Sequence, residues 1–440
     1  MASYAHAGIP PFLLALFSLV GPGSGTAQAP MFRGGPAHQG VYDSQAPTLE
    51  EVVWTFQTGG RVLSSPAVTG DVVFVGSSDG VLYAIDRASG TERWRFTSGG
   101  SIASSPAVSG GLVYFSSLDG NVYAVDEATG EKRWTFATRG ERRFTAPGIH
   151  GAQPRTERMP DPFDVFLSSP AVTGGTLYIG SGDQHVYALD AATGTLRWQF
   201  GAGDVIHASP AVADGQVIVG SWDRNLYALD AETGRERWRY TTGNDTVIYN
   251  QIGIASSAAV VDGTVFVGGR DGHFHVVDAA TGHPRWVHDN HGGWTIGSPA
   301  VRDGVVYFAT SDGRRFKALD AATGEVRFDL PNHAISFGSP SIAGDRVYYG
   351  TSDGWLHAVD VRTGRFAAHF QSDGSKANLA PWTDSTGVFE SGRMYPDRTL
   401  DGMMIGMRTM FTVGSFLSSP SIVDGVLYIG STDGKVYALR

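Results

Sequence analysis

The residues able to do chemistry in this chain are scattered, and no group of them forms a compact catalytic signature. His207 stands alone in the run DVIHASPA, where an imidazole could act as a general base, although no partner to fix its tautomer is identifiable from sequence. Arg142 and Arg143, in RGERRF, could hold an anionic ligand or partner, while Asp161 and Asp164, in MPDPFD, could ligate a cation or pair internally. Asn250 and Gln251 bring two amides that could read a polar ligand. Trp222 with Arg224, then Arg270, then Arg314 with Arg315, would make an aromatic and cationic half-ring around an opening. His288 and His291 have H-x-x-H spacing beside Trp294, one ligand short of what a zinc site needs. Met403, Met407 and Met410 fall at i, i+4, i+7, the spacing of a short amphipathic helix whose thioethers suit soft packing better than copper(I). With no cysteine, thiolate metal sites, disulfides and c-type haem attachment are excluded.

The elements that must position these residues come from a repeat. A unit of about forty residues, approximately SSPAV-x-x-G-x-VY-x-GS-x-DG-x-x-YALD-x-x-TG-x-x-x-W-x-F, occurs eight times, anchored at Pro66, Pro106, Pro170, Pro210, Ala258, Pro299, Pro340 and Pro420. Short alternating runs such as NVYAVD, separated by glycine-bearing turns, are half-buried strands. Each unit is a four-stranded antiparallel meander that cannot bury both faces alone, so the chain is expected to be all-β, an eight-bladed β-propeller. The last copy stops at Arg440 without its outer W-x-F strand, whereas EVVWTFQT near Trp54 is an orphan strand of that kind, so the N-terminal strand should close the ring. Aspartates such as Asp86 and Asp126 recur in D-x-x-[TS]-G turns and read as turn chemistry. The 59 glycines fit this abundance of turns.

Three departures from the repeat, at 139–166, 243–255 and 371–416, all fall between an outer strand and the next inner strand, which puts them at one mouth of the ring. Residues before each anchor should line that mouth, and apart from His207 most are apolar: Leu63, Ala103, Leu167, Ala255, Ile296 and Leu417. The longest departure is expected to be a cap or lid. Thirty-three basic against 43 acidic side chains, a net charge of −10, argue against a nucleic-acid partner. The apolar run Ile9 to Val20 and the small residues after it resemble a secretory signal, expected to cover 1–27 with cleavage near Gln28, although no basic residue precedes Arg33. Residues 28–50 form a lead into the propeller, which occupies 51–440, and no later segment is apolar enough to be transmembrane.

The repeated YALD-x-x-TG-x-x-x-W run resembles the tryptophan-docking repeat of pyrroloquinoline quinone (PQQ) dehydrogenases and of the PQQ-like, BamB-like propellers. The resemblance covers 51–440 and implies one of two functions. The BamB-like branch implies a non-catalytic binding and scaffold protein, secreted or periplasmic, that engages a protein or envelope polymer through the loop-rich face. The quinoprotein branch implies a PQQ- and calcium-dependent dehydrogenase acting on an alcohol or sugar. The apolar channel entrance and the lack of a recognisable Glu, Asn and Asp set for calcium favour the first.

Overall fold

A computed structural model describes residues 30–244 and 252–440; Asn250 and Gln251 lie outside the described residues. Eight four-stranded antiparallel sheets stand in a ring. Blade one (Ala67–Thr69, Val72–Gly76, Val81–Asp86, Glu92–Thr97) shows the pattern. Its second strand is buried at every position because a blade covers each face, whereas outer strands such as Lys132–Ala137 alternate between exposed and covered positions. The outer-strand tryptophans join neighbouring blades. The Trp54 indole donates to the Arg87 carbonyl at 2.9 Å, Trp94 to Glu127 at 3.1 Å and Trp198 to Ala231 at 3.0 Å. The TG turn of the receiving blade must be glycine there: Gly90 has φ +70°, and a Cβ on it would meet the Trp54 ring at 2.6 Å. The chain ends close blade eight, with Trp54 opposite Ala438 and Gln57 opposite Lys435.

At the axis the SSP anchor has a second use. The Ser65 amide donates to Ser105 Oγ, Ser105 to Ser169, Ser169 to Ser209 and Ser209 to Ser257, at 2.8–3.0 Å; Ser298, Ser339, Ser419 and Ser65 continue the collar at 2.9–3.1 Å. Only a small side chain with an acceptor oxygen satisfies the innermost amides of so narrow a ring.

The lead takes an unforeseen path across the back of the ring. The carbonyls of Pro30, Pro36, Ala37, Gln39 and Gly40 accept from the inner-strand amides of Val108, Val212, Val260, Val301 and Ile342, spanning blades two and four to seven. Arg33, 1% exposed, donates to the carbonyls of Pro299, at 2.7 Å, and Pro340. Val41–Tyr42 then pairs in parallel with the inner strand of blade seven, Ser341–Ala343. Among the described residues no helix is long and apolar enough to cross a membrane.

Candidate functional site at the loop-rich mouth

Two insertions converge over the opposite mouth. The first forms a small hairpin, Thr145–Pro147 with Arg158–Pro160. The last carries the helix Leu400–Thr412, started by Thr399, whose hydroxyl accepts from the Gly402 amide at 3.0 Å. Met403, Met407 and Met410 are buried on its inner face, as their spacing predicts. The two insertions touch, the Gln153 amide donating to the Arg398 carbonyl at 2.8 Å.

Beneath them the ionisable groups are tied to one another. Asp161, fully buried, receives Arg270 Nη1 at 2.7 Å, His150 Nε2 at 2.8 Å and the Phe163 amide at 2.8 Å. Burial alone would raise its pKa, but Arg270 and then His150 hold the carboxyl well below the usual carboxylate range. The Arg270 guanidinium lies between two indoles, 4.4 Å from the Trp222 ring centre and 4.7 Å from that of Trp294, and Phe144 stacks on Trp222 at 4.5 Å. His207 has the partners that its sequence context does not reveal: Nδ1 meets Asp164 at 2.6 Å, and Nε2 faces Glu141 at 3.4 Å. Burial would lower its pKa, yet Asp164 and Glu141 push it up to about 10, so the ring is an imidazolium at neutral pH. Asp164 also accepts from the Phe144 amide, and Glu141 from Ser181 Oγ and the Gly182 amide. His207 therefore clamps both ends of the first insertion to the ring.

Two spaces result. The axial cavity, inside the serine collar, holds only about 60 Å³, narrowed by Phe32 from the lead and by Phe163 and Phe166 from the first insertion. Above it, on the side of blades five to seven, a cleft of about 720 Å³ opens between hairpin and lid. Trp294, His150, Phe163 and Phe337 form one aromatic wall, with successive ring centres 5.7, 4.6 and 5.9 Å apart. Tyr395, Asp397, Arg398 and Met403 form the lid side, and Asp312 and Arg314 the rim.

The half-ring read from sequence is brought together only in part. Trp222, Arg270 and Trp294 form the sandwich, and Arg314 reaches the cleft, donating to the carbonyls of Phe389 at 3.2 Å and His333 at 3.4 Å. Arg224 instead bonds Asn244 at 2.9 Å, and Arg315 pairs with Asp329 at 2.7 Å; neither lines the cleft. Arg142 donates through Nε to the Gly182 carbonyl at 2.9 Å, Arg143 is half-buried, and neither lines the cleft. His288 is bonded to Lys317 at 3.1 Å and His291 is an exposed partner of Asp289, so the H-x-x-H pair serves two different contacts.

Sequence reasoning passes over Tyr395 and Arg398 and reads Asp312 only as turn chemistry, one of the aspartates that open D-G turns. A signal for Asp312 was present. In five blades the tyrosine of YALD or its equivalent donates to the aspartate of the turn before its strand, as Tyr83 does to Asp79 at 2.6 Å and Tyr437 to Asp433 at 2.6 Å. Blade six has Lys317 in that place, bonded to Asn290 at 3.1 Å, and its turn is one residue longer, which carries Asp312 and Arg314 to the cleft.

A calcium ion bound with a quinone needs carboxylate and amide oxygens whose lone pairs are still available. Asp161, Asp164 and Glu141 spend theirs on Arg270, His150, His207 and backbone amides, and no three acidic or histidine side chains gather to hold a metal among the described residues. These three acids do not fit that ion.

Ring, tryptophan docking and capped mouth together define an eight-bladed propeller of PQQ-like repeats. The chain belongs to the family described as outer membrane protein assembly factor BamB, whose model matches residues 43–153, 151–258 and 250–387. Sequence comparison with curated proteins gives no match. Among solved structures it is similar to BamB from Moraxella catarrhalis, at 16% identity and TM-score 0.65 over 89% of this chain and 99% of that one. It is similar to quinohemoprotein alcohol dehydrogenase from Comamonas testosteroni, at 16% identity and TM-score 0.68 over 93% and 80%, and to a europium-containing methanol dehydrogenase, at 16% and 0.66 over 92% and 90%. At such identities the likeness is one of fold.

Proposed function

We propose that this propeller is a non-catalytic binding and scaffold protein, exported to the periplasm or beyond, which engages a protein or envelope polymer through its loop-rich mouth. One observation carries the reading: the acids and the histidine under the caps are consumed in internal pairs, while the cleft above them is open and lined by both aromatic and polar groups. The family description supports it, since it names an assembly factor, and the BamB neighbour shares the fold. A photo-crosslinking residue at Ser391, in the cleft, should yield adducts in the envelope of a Gram-negative host, and one at Thr363, on the back face, should not. Equal yields from both faces would count against the mouth. Export predicts a mature N-terminus near Gln28, which recovery of chains beginning at Met1 would contradict.

A second reading has its own support. A cleft of about 720 Å³ under a lid has the size of a small-cofactor pocket, and two of the similar structures are a quinohemoprotein alcohol dehydrogenase and a europium-containing methanol dehydrogenase. Under that reading PQQ and calcium would bind beneath the caps and the protein would oxidise an alcohol or sugar.

A further inference from the structure

We propose that the segment received at this mouth is an acidic peptide that also bears aromatic side chains; this rests on reading the mouth as a partner-binding surface. Some arginines of this mouth are paired, Arg270 with Asp161 and Arg393 with Glu390, and a second group is not. On the back rim Arg93, Arg133, Arg197, Arg237, Arg285 and Arg327 each meet the turn aspartate of their own blade at 2.6–2.8 Å. At the mouth Arg314, Arg398, Arg61 and Arg408 enter no ion pair among the described residues. Arg314 is held by two backbone carbonyls, which orient its guanidinium without neutralising it. Arg61 is fixed over the Phe411 ring at 4.9 Å, with Arg408 close enough that, after burial, its charge lowers the Arg61 pKa. Arg408 lies one helical turn before Phe411, so the two guanidiniums are neighbours with no carboxylate paired to either among the described residues, and an anion beside them is favoured.

The lid helix sets the spacing. Arg398 lies just before it and Arg408 within it, the helical part from Leu400 to Arg408 rising about 12 Å at 1.5 Å per residue. That distance suits about four residues of extended chain. Ile405, three residues before Arg408, is 48% exposed and adds an apolar contact on the outer side of the helix, while Arg398 lines the cleft with the aromatic wall. Of the nearby carboxylates, Asp397 accepts from the Thr399 amide at 2.8 Å and hydroxyl at 2.5 Å, which orient it without neutralising it; with Asp312 and Asp401 it restricts where the acidic residues of the ligand can lie. On a chain of net charge −10 this arginine set marks the face that an anionic partner can approach.

Fluorescence anisotropy with labelled random copolymers provides the test. The glutamate–tyrosine copolymer should bind, weakening about tenfold between low salt and about 0.2 M salt as screening shortens the range of charge. Arg314→Gln with Arg398→Gln, and separately Arg61→Gln with Arg408→Gln, should each weaken it about fivefold or more while the melting temperature stays within about two degrees. A lysine–tyrosine copolymer bound as tightly and weakened by the same variants would overturn the acidic preference while leaving the mouth as a binding surface. Binding of neither copolymer, unchanged binding by the variants, or preference for neutral dextran would also overturn it. Binding of neither copolymer together with saturable binding of PQQ and Ca²⁺ would remove both readings.

Discussion

Asp161 and Arg270, 109 residues apart in sequence, meet at 2.7 Å with side chains 0% and 1% exposed. The acid that the first insertion delivers to the mouth is thereby engaged by a cation from the turn of blade five, and the indoles of Trp222 and Trp294 keep water from that cation. A buried pair of this kind is a fixture of the architecture: its geometry depends on blade, hairpin and aromatic wall being assembled together.

Breaking that pair on one side should be costly. Arg270→Leu leaves a buried carboxylate with only His150 and an amide, and should destabilise by about 3–5 kcal/mol in urea unfolding. Adding Asp161→Asn should restore a large part of the loss, because no uncompensated charge remains. A single variant within about 1 kcal/mol of the parent would show that the pair is not buried as described.

The His207 clamp predicts a pH dependence with a definite sign. Its pKa is raised on folding to about 10, so the stability it contributes is complete below the unfolded value of 6.5 and is lost as pH rises through about 10. Amide exchange in the 141–166 segment, corrected for its intrinsic rate, should therefore speed up between pH 8 and 11, relative to the blades, and His207→Gln should show the faster exchange already at pH 7. Equal protection in parent and variant across that range would contradict the clamp.

The contrast between what sequence discloses and what it conceals has a physical basis. Blades, ring closure through Trp54 and the methionine-faced helix follow from local periodicity, which a single chain displays openly. His207 seemed to lack a partner because its acids lie 43 and 66 residues away, in an insertion that obeys no repeat. The lead was silent for another reason: PMFRGGPAHQG has no strand alternation, and it docks by offering carbonyls to the inner amides of blades two and four to seven. Arg224 and Arg315 were read as members of the half-ring by turn position, but their local acceptors, Asn244 and Asp329, draw them away.

Removing the ring's seams should weaken the whole molecule. Trp54→Ala takes away an interblade aromatic and its hydrogen bond to Arg87, and should cost about 3–5 kcal/mol. Deleting the strand Val52–Gln57 should lower the melting temperature far more, because blade eight then exposes an edge. A truncated chain melting within about two degrees of the parent would contradict closure.

The lead can be tested without truncation. Gly40 has φ +68°, and a Cβ there would collide with the Arg33 guanidinium. Gly40→Ala should displace Arg33 from the carbonyls of Pro299 and Pro340 and destabilise by about 1–3 kcal/mol, with faster exchange in the inner strands of blades six and seven. Unchanged protection of Val301 and Ile342 would show that the lead is dispensable.

The central claim is that the mouth binds a partner and does not house a redox cofactor, and calorimetric titration of the folded protein with PQQ in the presence and absence of Ca²⁺ tests it most directly. The account predicts no saturable heat and no rise in melting temperature with either ligand or both, since the carboxylates that would hold the ion are already paired. Saturable, calcium-dependent PQQ binding accompanied by dye reduction with an alcohol or sugar would contradict it.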